Sequence, residues 1–308
     1  MNISIRNIPP GVYVVAISGG VDSMVLLDML AKQSKSPEPS ALSLQLVVAH
    51  FNHGIRSDSD LDEKLVKQAA KRYGLPIRIG RGNLGLNASE DKARRARYKF
   101  LGEVRDEFAA KAVITAHHQD DLIETAIINM LRGTGPRGLV AITDNPRVIR
   151  PLLNVAKAEI LAYGRKNSIS WYEDKSNQSP GYLRNRIRSS VMPKLGTQVQ
   201  QRILGNIKKV AKNSNEVNTL IASLSHKIIK NNQINRHDFI MLPPEVASQL
   251  IMYWLRGREV REIDKKLVTR LETALRAARA GTTHKINDRL SLHVSKQTAS
   301  FASTLKSA

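Results

Sequence analysis

The chain has 308 residues, 42% of them hydrophobic, enough to bury a core in one large domain and a smaller one. Lys and Arg number 48 against 27 Asp and Glu, a net charge of +21 that favours a polyanionic partner; the absence of cysteine excludes disulfides, thiolate metal sites, iron–sulfur clusters and cysteine nucleophiles. The first residues lack the apolar core of a signal peptide, and no stretch approaches the roughly 20 apolar residues of a membrane span, so a cytoplasmic protein with no membrane partner is expected.

In chain order, short apolar runs alternate with longer amphipathic ones, the pattern of an α/β protein whose doubly wound parallel sheet is wrapped by helices. Strands are predicted at 12–18, 44–51, 76–80, 112–117 and 148–152, and helices at about 24–33, 59–73, 89–109, 120–132 and 157–166. Segment 34–43 (SKSPEPSALS) reads as a flexible loop. After Trp171 the pattern turns polar, basic and helical, and Pro193 and Gly196 mark a break. The expected division is 1–200 for the catalytic domain and 201–308 for a smaller, basic, mainly helical domain, with its clearest helices at 245–256 and 263–279. Alternation around Lys285, Ile286, Leu290, Leu292 and Val294, with a turn at Asn287–Asp288, predicts a closing short hairpin or sheet. The charge is lopsided: residues 1–140 carry 19 basic and 15 acidic side chains and residues 141–308 carry 29 and 12, which makes the back half the expected nucleic-acid face.

Ligands of a doubly wound sheet sit beyond the carboxyl ends of its strands, and the polar clusters fall there. Ser18, Gly19, Gly20, Val21, Asp22 and Ser23 (SGGVDS) follow the first strand. Two glycines let backbone approach a ligand closely, and a helix opening behind them aims N–H groups at an anion, so the loop suits a pyrophosphate. No lysine follows the glycines, so this is not a Walker A loop. Asp22 would repel phosphate unless a cation intervened, which assigns it to Mg2+; an ordinary turn with Asp22 as a helix cap fits the same residues. Gly133, Gly135 and Gly138 match G-x-G-x-x-G but follow a helix instead of a strand, and read as a helix stop and a loop over the site.

The fourth strand ends at His117, with His118 next, and Asp121 and Glu124 share a face of the following helix, where two carboxylates can grip an ammonium group; capping alone explains one of them. Metal binding by HHQDD lacks the H-E-x-x-H spacing. Arg94 and Arg97 share a face in EDKARRARY, placed to meet a negatively charged transition state or RNA phosphate, or simply water. Arg184, Arg186 and Arg188 in LRNRIR, near the aromatic Trp171 and Tyr182, lean towards nucleic acid. His50 and His53 flank Asn52 at the end of the second strand; His53 is taken as a nucleotide-side residue, although one of the two also reads as a buried, hydrogen-bonded histidine.

Taken together, SGGVDS, HFNHGIRSDSD, EDKARRARYKFL, TAHHQDDLIETAIINMLRGTGPRGL, RPLL at 150–153 and WYEDKSNQSPGYLRNRIR resemble, in order over about the first 190 residues, the tRNA(Ile)-lysidine synthetase family of the PP-loop ATP pyrophosphatases. The resemblance implies a Rossmann-like, PP-loop type of sheet. It implies ATP and Mg2+ as cofactors, free L-lysine as a substrate, and a tRNA(Ile) with a CAU anticodon as partner. Cytidine at the first anticodon position is adenylated on its C2 oxygen, and the side-chain amine of lysine then displaces AMP to give lysidine. The family's nucleotide loop falls on Ser18 to Ser23, its acidic pair on Asp121 and Glu124 for lysine, and its Ala-Arg and Arg-Tyr pairs on Ala93-Arg94 and Arg97-Tyr98. Arg94 and Arg97 then belong to the catalytic set with Asp22, His117 or a nearby carboxylate is the base, and Arg184 and Arg188 meet tRNA. Two departures stand out: Gln119 inside HHQDD, and a short length that omits the further C-terminal domain of long members. The oligomeric state stays open, a homodimer among the options.

Three other readings use the same loop. A tRNA thiolase or a glutamine-dependent synthetase needs cysteine, which is absent. A non-catalytic, nucleotide-sensing RNA-binding protein would leave Asp22, Asp121 and Glu124 idle.

Overall fold

The computed structural model describes residues 3, 5, 8–35, 44–54, 59–82, 90–134, 136–140, 142, 147–172, 183–258, 260 and 263–303. Of the segments singled out above, 36–43, 55–58, 83–89, 135 and 173–182 lie outside them. The chain divides into two compact units, Met1–Val210 and Ala211–Ala308.

In the first unit the strands are β1 (Gly11–Ala16), β2 (Leu44–Asn52), β3 (Ile77–Arg81), β4 (Ala112–Ile114) and β5 (Val148–Ile149). Its helices are α1 (Val21–Ser34), α2 (Ser59–Tyr73), α3 (Glu90–Glu107), α4 (Gln119–Leu131), α5 (Pro136–Leu139), α6 (Lys157–Lys166) and α7 (Leu183–Arg186), the last running into a π-helical turn at Ile187–Val191. All neighbouring strands pair in parallel, in the order β3-β2-β1-β4-β5.

The reason for helices on both faces is visible in β1. Tyr13 and Val15 point to one side and Val14 to the other, and none exceeds 2% exposure. Val25, Leu26 and Leu30 of α1, Val66 of α2 and Ile160 of α6 cover the first side. Leu101 and Val104 of α3 cover the second. With β1 central, the chain winds outward through β2 and β3, then returns across the sheet to β4. The strand order therefore reverses between β1 and β4, and the crevice at their carboxyl ends is the topological switch point. The five predicted strands and five helices all exist, but β4 and β5 stop three residues short of expectation at Ile114 and Ile149. The polar residues that follow leave the ladder to line the crevice.

The helix α8 (Thr197–Ile228) spans the division between units. The second unit adds β6 (Ile229–Lys230), β7 (Gln233–Asn235), α9 (Arg236–Ile240), α10 (Pro244–Arg256), α11 (Lys265–Ala277), β8 (Thr282–Lys285), β9 (Leu290–Val294) and β10 (Thr298–Ser303). The predicted hairpin is β8 with β9, but the sheet has five antiparallel strands in the order β6-β7-β10-β9-β8. Two- and three-residue strands are too short to show a period, and TASFAS of β10 is small and polar, so these strands carry no sequence signal. Phe239, Leu250, Leu255, Leu275 and Leu292 fill the core, and Trp254 stacks on Phe301 at 3.9 Å between centroids. Arg236, buried, donates through Nε to the Leu275 carbonyl (2.9 Å) and through its terminal nitrogens to Ser295 (2.9 Å) and Ala278 (3.0 Å).

Among the described residues no helix is long and apolar enough to cross a membrane.

Candidate active site

At the switch point the SGGVDS loop is tied by its own serines. Ser18 N donates to Ser23 Oγ at 3.1 Å, and Ser23 Oγ donates to the Gly20 carbonyl at 2.9 Å. Gly19 has φ +94°, and a Cβ there would stand 3.0 Å from Asp62 Oδ1, so the turn needs glycine on both counts. Gly20 caps α1 without a side-chain hydrogen bond, which leaves the first-turn amides facing the crevice, where anions are favoured. Val21 turns into the core. The Tyr172 amide donates to the Gly19 carbonyl at 3.2 Å and closes the loop from behind.

Asp22 does not point at empty space. Lys157 Nζ, at the start of α6, lies 2.6 Å from Asp22 Oδ1, and His118 Nε2 lies 3.7 Å from Asp22 Oδ2. The loop lacks a lysine of its own; α6 supplies one from 135 residues away. Nothing in the local pattern around Lys157 reveals this, since the residue reads only as a helix start.

At β4 the expected acidic cluster begins α4. His118 is the N-cap: its Nδ1 accepts from the Asp120 amide at 3.3 Å, while Asp121 Oδ2 accepts from the His118 amide at 3.0 Å, a reciprocal capping arrangement. Burial works against charge on His118, but Asp120, Asp121 and Asp22 outweigh it and raise its pKa. His117 goes the other way. Burial, reinforced by Arg150, Arg94 and Arg97, pulls its pKa down to about 3, and its Nδ1 meets Thr115 Oγ1 at 2.8 Å. At neutral pH its imidazole is uncharged.

Asp121 and Glu124 are brought together, and a guanidinium holds them. Arg188 donates to Glu124 through Nε (2.8 Å) and a terminal nitrogen (2.9 Å), and to Asp121 Oδ1 at 3.1 Å. Arg184 donates to Thr125 Oγ1 at 2.8 Å and lies 3.7 Å from Glu124. Glu124 is 1% exposed; burial raises its pKa against the opposing pull of Arg188. Arg184 and Arg188, expected on nucleic acid, thus turn inward onto α4, whereas Arg186 between them is exposed.

Two chambers result. The first, of about 430 Å3, is lined among others by Ser18, Gly20, Asp22, Ser23, His53, Asp62, Arg97, His117 and Asp121. The second, of about 360 Å3, is lined by Arg94, Tyr98, His117, Thr125, Ile142, Arg150 and Arg184. Tyr98 and His117 border both. Arg94 and Arg97 flank the Tyr98 ring, their guanidinium carbons 4.8 and 5.7 Å from its centre, so each serves a different chamber. Glu124 lines neither. His50 is the buried histidine of its pair, bonded through Nδ1 to the Ile17 carbonyl at 2.8 Å; His53 packs edge-on against Phe51 in the first chamber. Gly133, with φ +66°, ends α4 as a stop signal. Sequence reasoning missed Lys157, Thr115 and Asp62, and it noted Arg150 only as part of RPLL, without its place in the wall of the second chamber.

Asp22 and Asp121 both approach His118 Nε2, at 3.7 and 3.5 Å, and both line the first chamber. Among the described residues no group of three or more His, Cys, Asp or Glu is placed to hold a metal. A pair of carboxylates suits Mg2+, which takes one or two from protein and the rest from phosphate and water.

This loop, strand order and crevice define a class. Residues 4–195 match the family described as PP-loop domain, well over half of the chain, and the chain belongs to that family, which brings ATP use with it. Within it, the chain is 40% identical over 194 residues to the tRNA(Ile)-lysidine synthase of Geobacter sulfurreducens, covering 59% of this chain and 40% of that protein. It is 36% identical over 225 residues to the tRNA(Ile)-lysidine synthase of Pseudomonas aeruginosa, covering 70% and 48%. The chain spans less than half the length of these curated relatives. Among solved structures, the U34-tRNA thiolase NcsA of Methanococcus maripaludis superposes with a TM-score of 0.55 at 17% identity over 67% of this chain and 73% of that one, a likeness of fold.

Proposed function

We propose that this chain ligates free L-lysine to C2 of the cytidine at the first anticodon position of a tRNA(Ile) with a CAU anticodon. The observation that carries this reading is the convergence, in one crevice, of the Ser18–Ser23 loop with the Asp121 carboxylate, in a chain similar to two lysidine synthases. ATP lies with its phosphates on the loop and the α1 amides. The cytidine C2 oxygen attacks the α-phosphorus, the bond to the β-phosphate oxygen breaks, and pyrophosphate leaves. The lysine side-chain nitrogen then attacks C2, the C2–O bond breaks, and AMP leaves with the electron pair.

Asp22 would hold Mg2+, which would supply charge neutralisation at the departing pyrophosphate. Lys157 keeps the Asp22 carboxylate oriented, and Arg94 and Arg97 stand ready for charge developing on the α-phosphate. Lysine must reach C2 as a free amine. The burial and arginine charges that keep His117 neutral disfavour any cation at that spot, the ammonium included, so the surroundings themselves help remove the proton. His117 is then a hydrogen-bond acceptor of low basicity. Asp121 grips the lysine cation directly, and Glu124 acts through Arg188. The basic back half, residues 141–308, carries the tRNA backbone.

The test is incorporation: protein, ATP, Mg2+, labelled lysine and the CAU-anticodon tRNA, with label sought in RNA. Folded protein that leaves the RNA unlabelled overturns the reading. Pyrophosphate release that depends on tRNA separates it from a nucleotide-sensing RNA-binding role.

A further inference from the structure

Helices α1 and α6 are joined by three polar contacts in one register. Lys157 Nζ meets Asp22 Oδ1 at 2.6 Å, Tyr163 donates to Asp28 Oδ2 at 2.8 Å, and Lys32 donates to Asn167 Oδ1 at 2.9 Å; each pair is 135 residues apart, so the two helices run in parallel without slipping. The packing between them is close and apolar, since a Cβ on Gly164 would stand 3.3 Å from Val25 Cγ2 and 3.1 Å from Trp171. The middle contact differs from the other two. Asp28 is 5% exposed and accepts from three sides: from Tyr163 of α6, from Tyr73 of α2 at 2.8 Å, and from Lys32 at 2.8 Å one turn along α1. Burial works against its charge, but Lys32, Tyr163 and Tyr73 outweigh it and lower its pKa. Asp28 lines neither chamber, and the reaction makes no direct use of it. A carboxylate taken from water is a poor source of adhesion, because apolar side chains of similar volume often hold as well or better. What it adds is direction: an apolar contact tolerates a slide along the helix, and a set of fixed hydrogen bonds does not.

We infer that Asp28 is a positioning residue, which fixes the register of α6 along α1 so that Lys157 arrives at Asp22. The inference rests on the role given above to Lys157. Asp22 and Asp28 are six residues apart on α1, and Lys157 and Tyr163 are six apart on α6. The buried contact therefore stands about 9 Å from the one at the nucleotide loop, measured along either helix. A hydrogen-bonded helix moves as a stiff unit, so a slide of about 1 Å at Tyr163 is passed on to Lys157 and stretches its contact with Asp22 out of hydrogen-bond range. Tyr73 makes the arrangement three-cornered and refers α6 to α2 as well as to α1.

The test separates positioning from mere support. The combination Asp28→Leu, Tyr73→Phe and Tyr163→Phe removes the buried hydrogen bonds together and leaves Lys32, half exposed, to water. Its unfolding midpoint in urea should equal or exceed that of wild type, while kcat for tRNA-dependent pyrophosphate release falls about tenfold and the KM for ATP moves by less than about threefold. Tyr163→Phe alone, which keeps the ring, should lose about threefold in kcat. In a Lys157→Met background neither change should lower kcat further by more than about twofold, since the side chain being placed is gone. A triple variant with wild-type kcat overturns the inference. So does a loss that persists in full beside Lys157→Met, the mark of general loosening, and so does a Lys157→Met variant as fast as wild type, which leaves nothing to place. Should the triple variant not fold, the cycle of Tyr163→Phe with Lys157→Met decides by the same criteria. Wild-type protein that releases no pyrophosphate with tRNA, ATP and Mg2+ would instead remove the ligase reading, and this assignment with it.

Discussion

The two units treat buried charge in opposite ways. In Met1–Val210, Asp28, Asp62, Glu63, His50, His118 and Glu124 are all buried, and all but Asp28 lie near the carboxyl ends of parallel strands. In Ala211–Ala308 the only buried ionisable side chain among the described residues is Arg236, and three backbone carbonyls satisfy it. Charges in the first unit pair with one another across a crevice and shift one another's pKa values; the charge in the second pins three chain segments. The first pattern is that of a reaction site and the second that of a staple.

The comparison can be broken at either end. The largest effect is expected for Asp22→Asn, which should cut tRNA-dependent pyrophosphate release by about 1,000-fold while the unfolding midpoint barely moves, because Asp22 is part-exposed and tied to one lysine. Arg236→Met should do the reverse: it strips three carbonyls of their donor and should cost about 3 kcal/mol, read from urea denaturation of the full chain, with adenylation at low temperature unchanged. Glu124→Gln falls between the two. Arg188 loses its bidentate partner but is 37% exposed, so water softens the loss to about 2 kcal/mol, and lysine use should weaken more than adenylation. Equal loss of both steps would contradict the division of roles.

Acid provides a smaller, graded test. His117 titrates near 6.5 when unfolded and about 3 when folded, and Glu63, held by Arg81 and Lys67, near 4.5 and about 2. Both native values are depressed, so the unfolded chain binds more protons as pH falls. The contribution of these two groups should be flat above pH 7, decline from about 6.5, and steepen below about 4.5 as Glu63 joins, whereas His118, whose native pKa is raised, withdraws stability as the pH climbs above 6.5. His117→Asn should flatten the upper part of a plot of urea midpoint against pH and leave the lower part unchanged.

The fold of the first unit was legible because hydrophobic alternation there is strong and its helices are long: α2 (Ser59–Tyr73) and α6 (Lys157–Lys166) run as read. The second sheet was legible only in the Thr282–Lys285 and Leu290–Val294 pair, since Ile229–Lys230 is too short to carry a period. At the site, glycines and acids at strand ends announced themselves locally. Partnerships did not. The Lys157–Asp22 ion pair, the inward turn of Arg188 and the Arg150 chamber each join residues far apart in sequence, and a side chain of Arg looks the same on paper whether it faces RNA or a buried glutamate.

The return of the chain from β3 to β4 also sets an order for synthesis. Asp22 is made early, but its cation at Lys157 and the histidine at 118 lie on segments that emerge after the sheet has been crossed. During translation, a nascent chain that has exposed only β1, β2 and β3 carries a phosphate loop with an unpaired carboxylate and a sheet edge at β1 awaiting β4. The crevice is therefore completed late, by the arrival of α6, and a chain that stalls before Lys157 lacks both the cation beside Asp22 and the Tyr172 amide that closes the loop.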